Sequence, residues 1–231
     1  MAFRSVHVPY VGSPTLRNNC SSSDPTSVCY HGPSLDSRQL DYFACIVGID
    51  NAVGRMRAAV RQYRDDWQNT IVVFTSDNGP ESIQNEGAGS AGGLRGTKGS
   101  LFEGGIRLPC LLEWPVKIHT NLVSNALTAI HDLPATLESV ITNNAPKAFR
   151  DGISLLQVID APQTFQRPFP LVICSHGSPE AVNLGVICPD VVVIDPTGTW
   201  KLIISRSKVN SANVGKLIVS GLYSIPQSSF R

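Results

Sequence analysis

The feature that most constrains the fold is an apolar segment that stops abruptly at polar residues. Residues 70–81 have the sequence TIVVFTSDNGPE, in which the first six residues are β-branched or aromatic. An unbroken apolar run without alternation predicts a central parallel strand over 70–75 that is covered on both faces. In open α/β sheets, ligands bind beyond the carboxyl ends of the strands. Asp77 and Asn78 therefore lie where a ligand is expected.

A long helix is predicted before this strand. Asp36 and Gln39 have the spacing of a capping box, and apolar residues follow at helical spacing as far as Tyr63. Arg57, Arg61 and Arg64 fall on one side of this helix, which indicates a solvated face. A helix that leads into an apolar strand is half of an α/β repeat, so an α/β core is expected.

The next segment is rich in glycine, with eight glycines between residues 87 and 105. Larger side chains lie between them, so we predict a backbone that other segments approach closely and not a flexible linker. Lys98 lies in this bend, where it either meets an anion or is an exposed loop lysine. The segment is not a phosphate-binding P-loop, because Thr97 and not glycine precedes Lys98.

The composition predicts two parts of the chain. Residues 106–115 predict a second strand and residues 127–141 a helix with Pro134 in its first turn. After residue 151, short β-rich runs alternate with turn residues, which predicts a small antiparallel sheet within about 170–225. The expected domains are therefore 1–155, an α/β domain, and 156–231, a small β subdomain.

Bulk properties exclude several classes of protein. The 231 residues carry a net charge of +1 and are 42% hydrophobic, which favours a globular core and argues against nucleic acid as a partner. No apolar run approaches the roughly 18 residues of a membrane span, and the first residues lack the apolar region of a signal peptide. The six cysteines form no CxxC pair. Cys45 and Cys110 are expected as buried thiols, while Cys20–Cys29 and Cys174–Cys188 would each close a short loop in an oxidising compartment.

The residues alone leave the chemistry open. Asp77 and Asn78 offer hard oxygen ligands for Ca²⁺ or Mg²⁺, but the residues alone favour an Asp-Asn-Gly-Pro turn whose side chains bond only to the backbone. His7 has the chemistry of a general acid, and a packed or surface histidine is the alternative.

Four stretches resemble the sulfatase family of the alkaline-phosphatase-like superfamily. They are GIDNAVGRM (48–56), VVFTSDNGPE (72–81), GGLRGTKGSLFEGGIRLPCLLEWP (92–115) and HDLPATL (131–137). The runs TWKLII and GLYSI resemble the C-terminal sheet of that family. The Asp-Asn-Gly-Pro-Glu sequence is most similar to the arylsulfatase A and N-acetylgalactosamine-6-sulfatase branch.

The resemblance implies a fold and a site. The implied fold is an alkaline-phosphatase-like sandwich, with part of a central, mostly parallel sheet and a small C-terminal antiparallel sheet. Asp77 and Asn78 match two calcium ligands, Lys98 matches the lysine that contacts the sulfate, and His7 matches the histidine that assists departure of the alcohol. The implied substrate is a sulfated small molecule or a sulfated glycan, and the implied location is lysosomal or secreted.

The chain also departs from the family pattern. Sulfatases carry an N-terminal Asp-Asp pair and a Cys-x-Pro-x-Arg motif whose cysteine becomes the nucleophile formylglycine. No Asp-Asp pair precedes His7, and the 231 residues contain no Cys-x-Pro-x-Arg motif. We therefore expect the C-terminal half of a calcium-dependent sulfuric ester hydrolase that is inactive by itself. The alternative is a non-catalytic sulfatase-like protein that binds sulfated glycans. A phosphoesterase or sugar-phosphate mutase of the same superfamily is disfavoured by the block from Lys98 to Trp114.

Overall fold

A computed structural model describes residues 3–20, 35–146, 151–175, 190–205 and 218–224. The chain divides into two compact units, Met1–Trp114 and Pro115–Arg231. Within the described residues, no helix has the length and apolar character needed to cross a membrane.

The first unit begins with two helices. Helix α1 (Pro14–Asn19) is capped by Ser13, whose side chain accepts a hydrogen bond from the Leu16 N–H, and Pro14 occupies its first turn. The Ser-Pro pair is a start signal, but six residues are too few to show a helical period, so the sequence pattern did not reveal this helix.

Helix α2 (Ser37–Tyr63) confirms the predicted capping box. The Asp36 side chain accepts from the Gln39 N–H, and the Gln39 side chain accepts from the Asp36 N–H. Ala44 of α2 and Cys20 are fully buried, and they form a small core against which partly buried apolar side chains pack: Leu16, Leu40, Phe43 and Val47. This core attaches the N-terminal half of α2 to α1.

The strand that follows differs in its pairing from the prediction. Strand β1 (Val72–Thr75) pairs antiparallel with β2 (Cys110–Glu113), with Phe74 opposite Leu111. These two side chains are 40% and 66% exposed. No parallel pair occurs among the strands of the described residues, so the central parallel sheet is not confirmed. The apolar run measures how readily a segment is buried, but it carries no information about the direction of its hydrogen-bonding partner.

The arginine face of α2 is more than a solvated surface. Arg57 donates from Nε and Nη2 to the two carboxylate oxygens of Glu113, both at 2.7 Å, and Arg61 lies 3.4 Å from the same carboxylate. The hydrogen bond from Arg57 is the main reason that the pKa of Glu113 lies below its usual value. The ion pair therefore joins α2 to the end of β2.

The second unit contains the predicted antiparallel sheet. Its strands are β3 (Leu171–Cys174), β4 (Asp190–Ile194), β5 (Trp200–Ser205) and β6 (Ile218–Ser224), in the order β3-β4-β5-β6 with every pair antiparallel. Among the strand residues whose burial the structure describes, the buried apolar ones are Leu171, Val192, Ile194 and Ile203. Residues 195–200 form the β4–β5 turn, which Gly198 closes at a φ of +70°.

Helix α4 (Asp132–Thr142) begins five residues later than predicted. Pro134 is the third residue of the observed helix, where no intrahelical N–H bond is required, and its ring would obstruct a helical carbonyl at residue 130. Helix α5 (Leu156–Asp160) follows. The Ile153 N–H donates to Asp132 and the Leu155 N–H donates to Thr136, at 2.9 and 2.8 Å.

These bonds tie α4 to the residues that follow it, and all of them belong to the second unit, Pro115–Arg231. The division into domains at residue 155 remains a prediction.

The cysteines divide into two kinds. Cys45 and Cys110 are free, but neither is buried as expected: Cys45 is partly exposed and Cys110 is exposed. Cys20 and Cys174 are disulfide-bonded. The predicted partners, Cys29 and Cys188, lie outside the described residues.

Candidate active site

The turn after β1 and the glycine segment are packed backbone against backbone. The Gly79 N–H donates to the Gly105 carbonyl at 2.9 Å, next to the short helix α3 (Glu103–Ile106). A Cβ atom at Gly79 would overlap the Gly104 carbonyl oxygen, and a Cβ atom at Gly104 would overlap that of Gly96. Close approach therefore requires glycine at both of these positions, whereas Gly92, Gly93 and Gly99 have open space where a Cβ would lie.

This packing brings Lys98 to the turn. The Lys98 N–H donates to the Pro80 carbonyl at 2.8 Å, so the backbone of the lysine is attached directly after Asn78-Gly79. Its ammonium nitrogen Nζ lies 2.9 Å from Nε2 of His7 and 3.4 Å from Oε2 of Glu81. His7 and Lys98, which are 91 positions apart in the chain, are thus in direct contact.

Tyr10 holds the His7 segment in place. Its hydroxyl oxygen accepts the Ala88 N–H at 3.2 Å, which links the segment to the start of the glycine-rich region. Its ring packs edge-on against Tyr42 of α2, with 5.2 Å between the ring centroids. These contacts fix the segment three residues after His7 on two different elements.

The hydrogen bonds of His7 define its tautomer. Nδ1 lies 2.7 Å from the Val8 carbonyl oxygen, which can only accept, so Nδ1 carries the proton. Nε2 faces the Lys98 ammonium, which can only donate, so Nε2 is an acceptor. In this arrangement Nε2 presents a lone pair, not a proton, toward Lys98.

Asp77 and Asn78 lie directly beyond β1. Asn78 donates from Nδ2 to the Gly79 carbonyl at 2.9 Å, and the Ser76 hydroxyl donates to the Asn78 carbonyl at 2.9 Å. Asp77 is exposed, and its carboxylate makes no hydrogen bond or ion pair with any described residue. Asn78 thus behaves partly as the turn interpretation predicts, whereas Asp77 does not.

Asp77 and Asn78 have the right type of ligand atom for a cation, but they are too few to complete its coordination. An unpaired carboxylate and an amide whose nitrogen is already engaged present two hard oxygens, the type that calcium prefers. Calcium takes about 6–8 such ligands, and within the described ranges no cluster of three His, Cys, Asp or Glu side chains is suited to a metal. Neither side chain bonds to His7 or Lys98.

Glu81 is the residue that sequence reasoning did not assign. It ends the same turn, and its Oε1 accepts from the Ser82 N–H and from Nδ2 of Asn85, each at 3.1 Å, while Oε2 faces Lys98. The hydrogen bond from Asn85, with smaller contributions from Ser82 and Lys98, lowers the pKa of Glu81. The glutamate of Asp-Asn-Gly-Pro-Glu was visible in the sequence, but its partner, 17 positions away, was not.

A comparison with protein families assigns the chain. The family model described as Sulfatase matches residues 1–141, which include the β1 turn, the glycine segment and most of α4. The chain therefore belongs to the sulfatase family, a family of sulfate ester hydrolases.

Curated relatives agree with this assignment. The chain is 36% identical to arylsulfatase A of Homo sapiens over 110 residues, which are 48% of this chain and 21% of that protein. It is 40% identical to N-acetylgalactosamine-6-sulfatase of Canis lupus familiaris over 124 residues, 52% of this chain and 23% of that protein. It is 31% identical to arylsulfatase G of Homo sapiens over 129 residues, 51% and 24% of the two chains. The matching part thus spans about a quarter or less of each of these proteins.

One solved structure is similar in fold. It is a protein in complex with its substrate D-glucosamine-2-N,6-O-disulfate, and it superposes with a TM-score of 0.56 at 18% identity. The superposition covers 81% of this chain and 34% of the other. This likeness extends the shared fold well beyond the residues that the sequence comparisons align.

Proposed function

We propose that this chain supplies part of the active site of a calcium-dependent sulfuric ester hydrolase. The observation that carries the proposal is the contact between Lys98 and His7, made at the turn that also holds Asp77 and Asn78. Lys98 binds the sulfuryl oxygens, and His7 assists departure of the alcohol. Asp77 and Asn78 are two ligands of the calcium ion, and the remaining ligands come from outside this set.

The chemistry of sulfate esters supports these roles. The substrate is anionic, and charge develops on its bridging oxygen as the S–O bond breaks, so a fixed cation near the sulfuryl oxygens and a proton donor near the alcohol both lower the barrier. When bound, calcium supplies further positive charge at the sulfuryl group. Lys98 supplies the chain's own cation.

The tautomer of His7 adds a requirement. Because Nε2 accepts from Lys98, His7 can give a proton to the alcohol only after Nε2 has gained one. That proton comes from Lys98, which then becomes a neutral amine, or from solvent. In the second case the imidazolium must move away from the ammonium. His7 can therefore act as an acid only if Lys98 gives up a proton or the two side chains move apart.

The substrate class and the location follow from the relatives. The proposed substrate is a sulfated small molecule or a sulfated glycan, a class that includes the sulfated glucosamine bound by the structural neighbour. The disulfide-bonded state of Cys20 and Cys174 supports an oxidising compartment, as a lysosomal or secreted enzyme would have.

The test is hydrolysis of a chromogenic aryl sulfate by the purified 231-residue chain with calcium present. We expect no turnover, because nucleophilic catalysis needs an activated nucleophile and these residues contain no Cys-x-Pro-x-Arg motif. Calcium binding should be weak and should decrease further in Asp77→Asn. Leu111→Asn, which places an amide on an exposed site of β2, is the matched control and should leave calcium binding unchanged.

Two results would contradict the proposal. Turnover that disappears in Lys98→Met would show that the chain holds a complete site. Failure of an aryl sulfate to perturb the NMR signals of His7 or Lys98 would remove the sulfate-binding role. Binding of sulfated glycans without turnover, even when the chain is joined to the rest of a sulfatase, would favour the non-catalytic alternative.

A further inference from the structure

The Lys98 ammonium contacts two acceptors, His7 and Glu81. Glu81 has no role in the function proposed above. The ammonium lies between Nε2 of His7 and Oε2 of Glu81. The Glu81 side chain is only 17% exposed and that of Lys98 is 32% exposed, so the ion pair is partly shielded from water. A carboxylate at this position reduces the net charge that Lys98 presents to an anion, so its presence needs a physical explanation.

The Glu81 carboxylate is itself held in one orientation. The Ser82 N–H and the Asn85 amide both donate to Oε1, which leaves Oε2 directed at Lys98. Asn85 ends a short 3₁₀ turn (Ile83–Asn85), and the Ser82 hydroxyl accepts from its N–H at 3.3 Å. The two carboxylate oxygens thus have separate tasks, one bound to the turn and one to the lysine.

Lys98 is attached at both ends to the same short turn. Its N–H binds the carbonyl of Pro80, and its ammonium binds the side chain of the next residue, Glu81. A free lysine side chain loses rotamer entropy when it is fixed. An ion pair that already restricts the chain removes part of this cost before an anion arrives.

We propose that Glu81 is a positioning residue for Lys98. Its carboxylate holds the ammonium against Nε2 of His7, so that the cation and the imidazole form one unit in the absence of ligand. This proposal depends on the function proposed above in one respect: the positioned Lys98 is there to bind a sulfate group. The contact itself is a property of the ligand-free chain.

The test uses the full chain labelled with [¹⁵N]histidine, with the His7 signals assigned by His7→Gln. The chemical shift of Nε2 reports whether Lys98 donates to it, and Lys98→Met gives the shift of the unbound acceptor. Glu81→Gln keeps the shape of the side chain but removes the charge that holds Lys98. We expect the Nε2 signal of this variant to move toward its position in Lys98→Met.

Glu86→Gln is the matched control, since it makes the same charge change five residues away at an exposed position. We expect it to leave the Nε2 signal in place. Asn85→Ala is a second variant, which keeps the Glu81 charge but removes one of its two supports, and it should shift Nε2 part of the way. The amide spectrum of each variant verifies that the chain is folded.

An unchanged Nε2 signal in folded Glu81→Gln would overturn the proposal. Titration with inorganic sulfate tests the purpose separately. If sulfate shifts His7 in the wild-type chain but Glu81→Gln does not disturb Nε2, the sulfate site stands and the positioning role fails. If Glu81→Gln disturbs Nε2 but sulfate has no effect on His7, the positioning role stands and the proposed function fails.

Discussion

At the scale of single residues, Asp132 shows how a carboxylate can be structural. It is fully buried, and Arg167, also buried, donates to both of its oxygens at 2.7 and 3.0 Å. The same carboxylate accepts the N–H groups of Ala129 and Ile153. It therefore joins the segment before α4, the segment after it and Arg167, and the conspicuous His-Asp-Leu-Pro sequence is explained by packing.

Replacement of Asp132 should be strongly destabilising. Asp132→Ala leaves the Arg167 charge and two N–H groups buried without their acceptor, and loss of one partner of a buried pair costs about 3–5 kcal/mol. The measurement is the urea midpoint of unfolding, followed by circular dichroism. Asp66→Ala is the control, because its partner Arg64 and Asp66 itself are both largely exposed, and such pairs contribute at most about 1 kcal/mol. Equal shifts in the two variants would contradict this assignment.

At the scale of elements, the glycine segment acts as a close-fitting partner of the β1 turn. Gly79 and Gly104 lie so close that a side chain at either would overlap a carbonyl oxygen. Gly54, in the middle of α2, has no atom within 4 Å of the position that its Cβ would take. The same substitution therefore has opposite consequences at the two kinds of site.

Gly79→Ala should destabilise the chain by about 1–3 kcal/mol or more, because the added methyl group forces two backbone segments apart. It should also weaken the contact between Lys98 and His7, which depends on this packing. Gly54→Ala should stabilise the chain by about 0.5–1 kcal/mol, the gain expected for alanine over glycine inside a helix. Urea unfolding of the two variants measures both effects, and a stable Gly79→Ala chain with an intact His7 signal would refute the close fit.

At the scale of the whole molecule, the sheet of the first unit leaves apolar surface uncovered. It has two strands within the described residues, and Phe74 and Leu111 are cross-strand neighbours on one face. Both are exposed to solvent. Short strands with free edges and apolar faces tend to pair with other chains.

The isolated chain should therefore self-associate as its concentration rises. Leu111→Lys places a charge on the exposed face and should raise the concentration at which association begins, as measured by sedimentation velocity. Val11→Lys is the control, because Val11 is 81% exposed but lies outside the strands. If both lysines have the same effect, general charge repulsion is responsible and the β1–β2 face is not the point of contact.

The sequence by itself determined the features that depend on nearby residues. The capping box of α2, the strand that precedes Asp77, the need for glycine between residues 87 and 105 and the antiparallel C-terminal sheet all arise from local propensity and periodicity. The family resemblance placed His7 and Lys98 in one site, which no local pattern contains, and the two side chains are in contact. The start of α4 at Asp132 is also a local effect of Pro134. The apolar residues at helical spacing begin further upstream, at residue 127, which is why an earlier start was predicted.

Only the tertiary structure decided which distant segments meet. The direction of pairing at β1 depends on its partner strand. That partner is Cys110–Glu113, which pairs with β1 in antiparallel orientation. The contact of Glu81 with Lys98, the ion pair of Arg57 with Glu113 and the burial of Asp132 with Arg167 each join positions between 17 and 56 residues apart. A side chain's propensity describes its own backbone and its exposure to water, whereas its ionic partner depends on how the elements pack. The sequence could therefore suggest residues for a candidate site, but the hydrogen bonds of His7 and the contact of Glu81 with Lys98 required their positions in space.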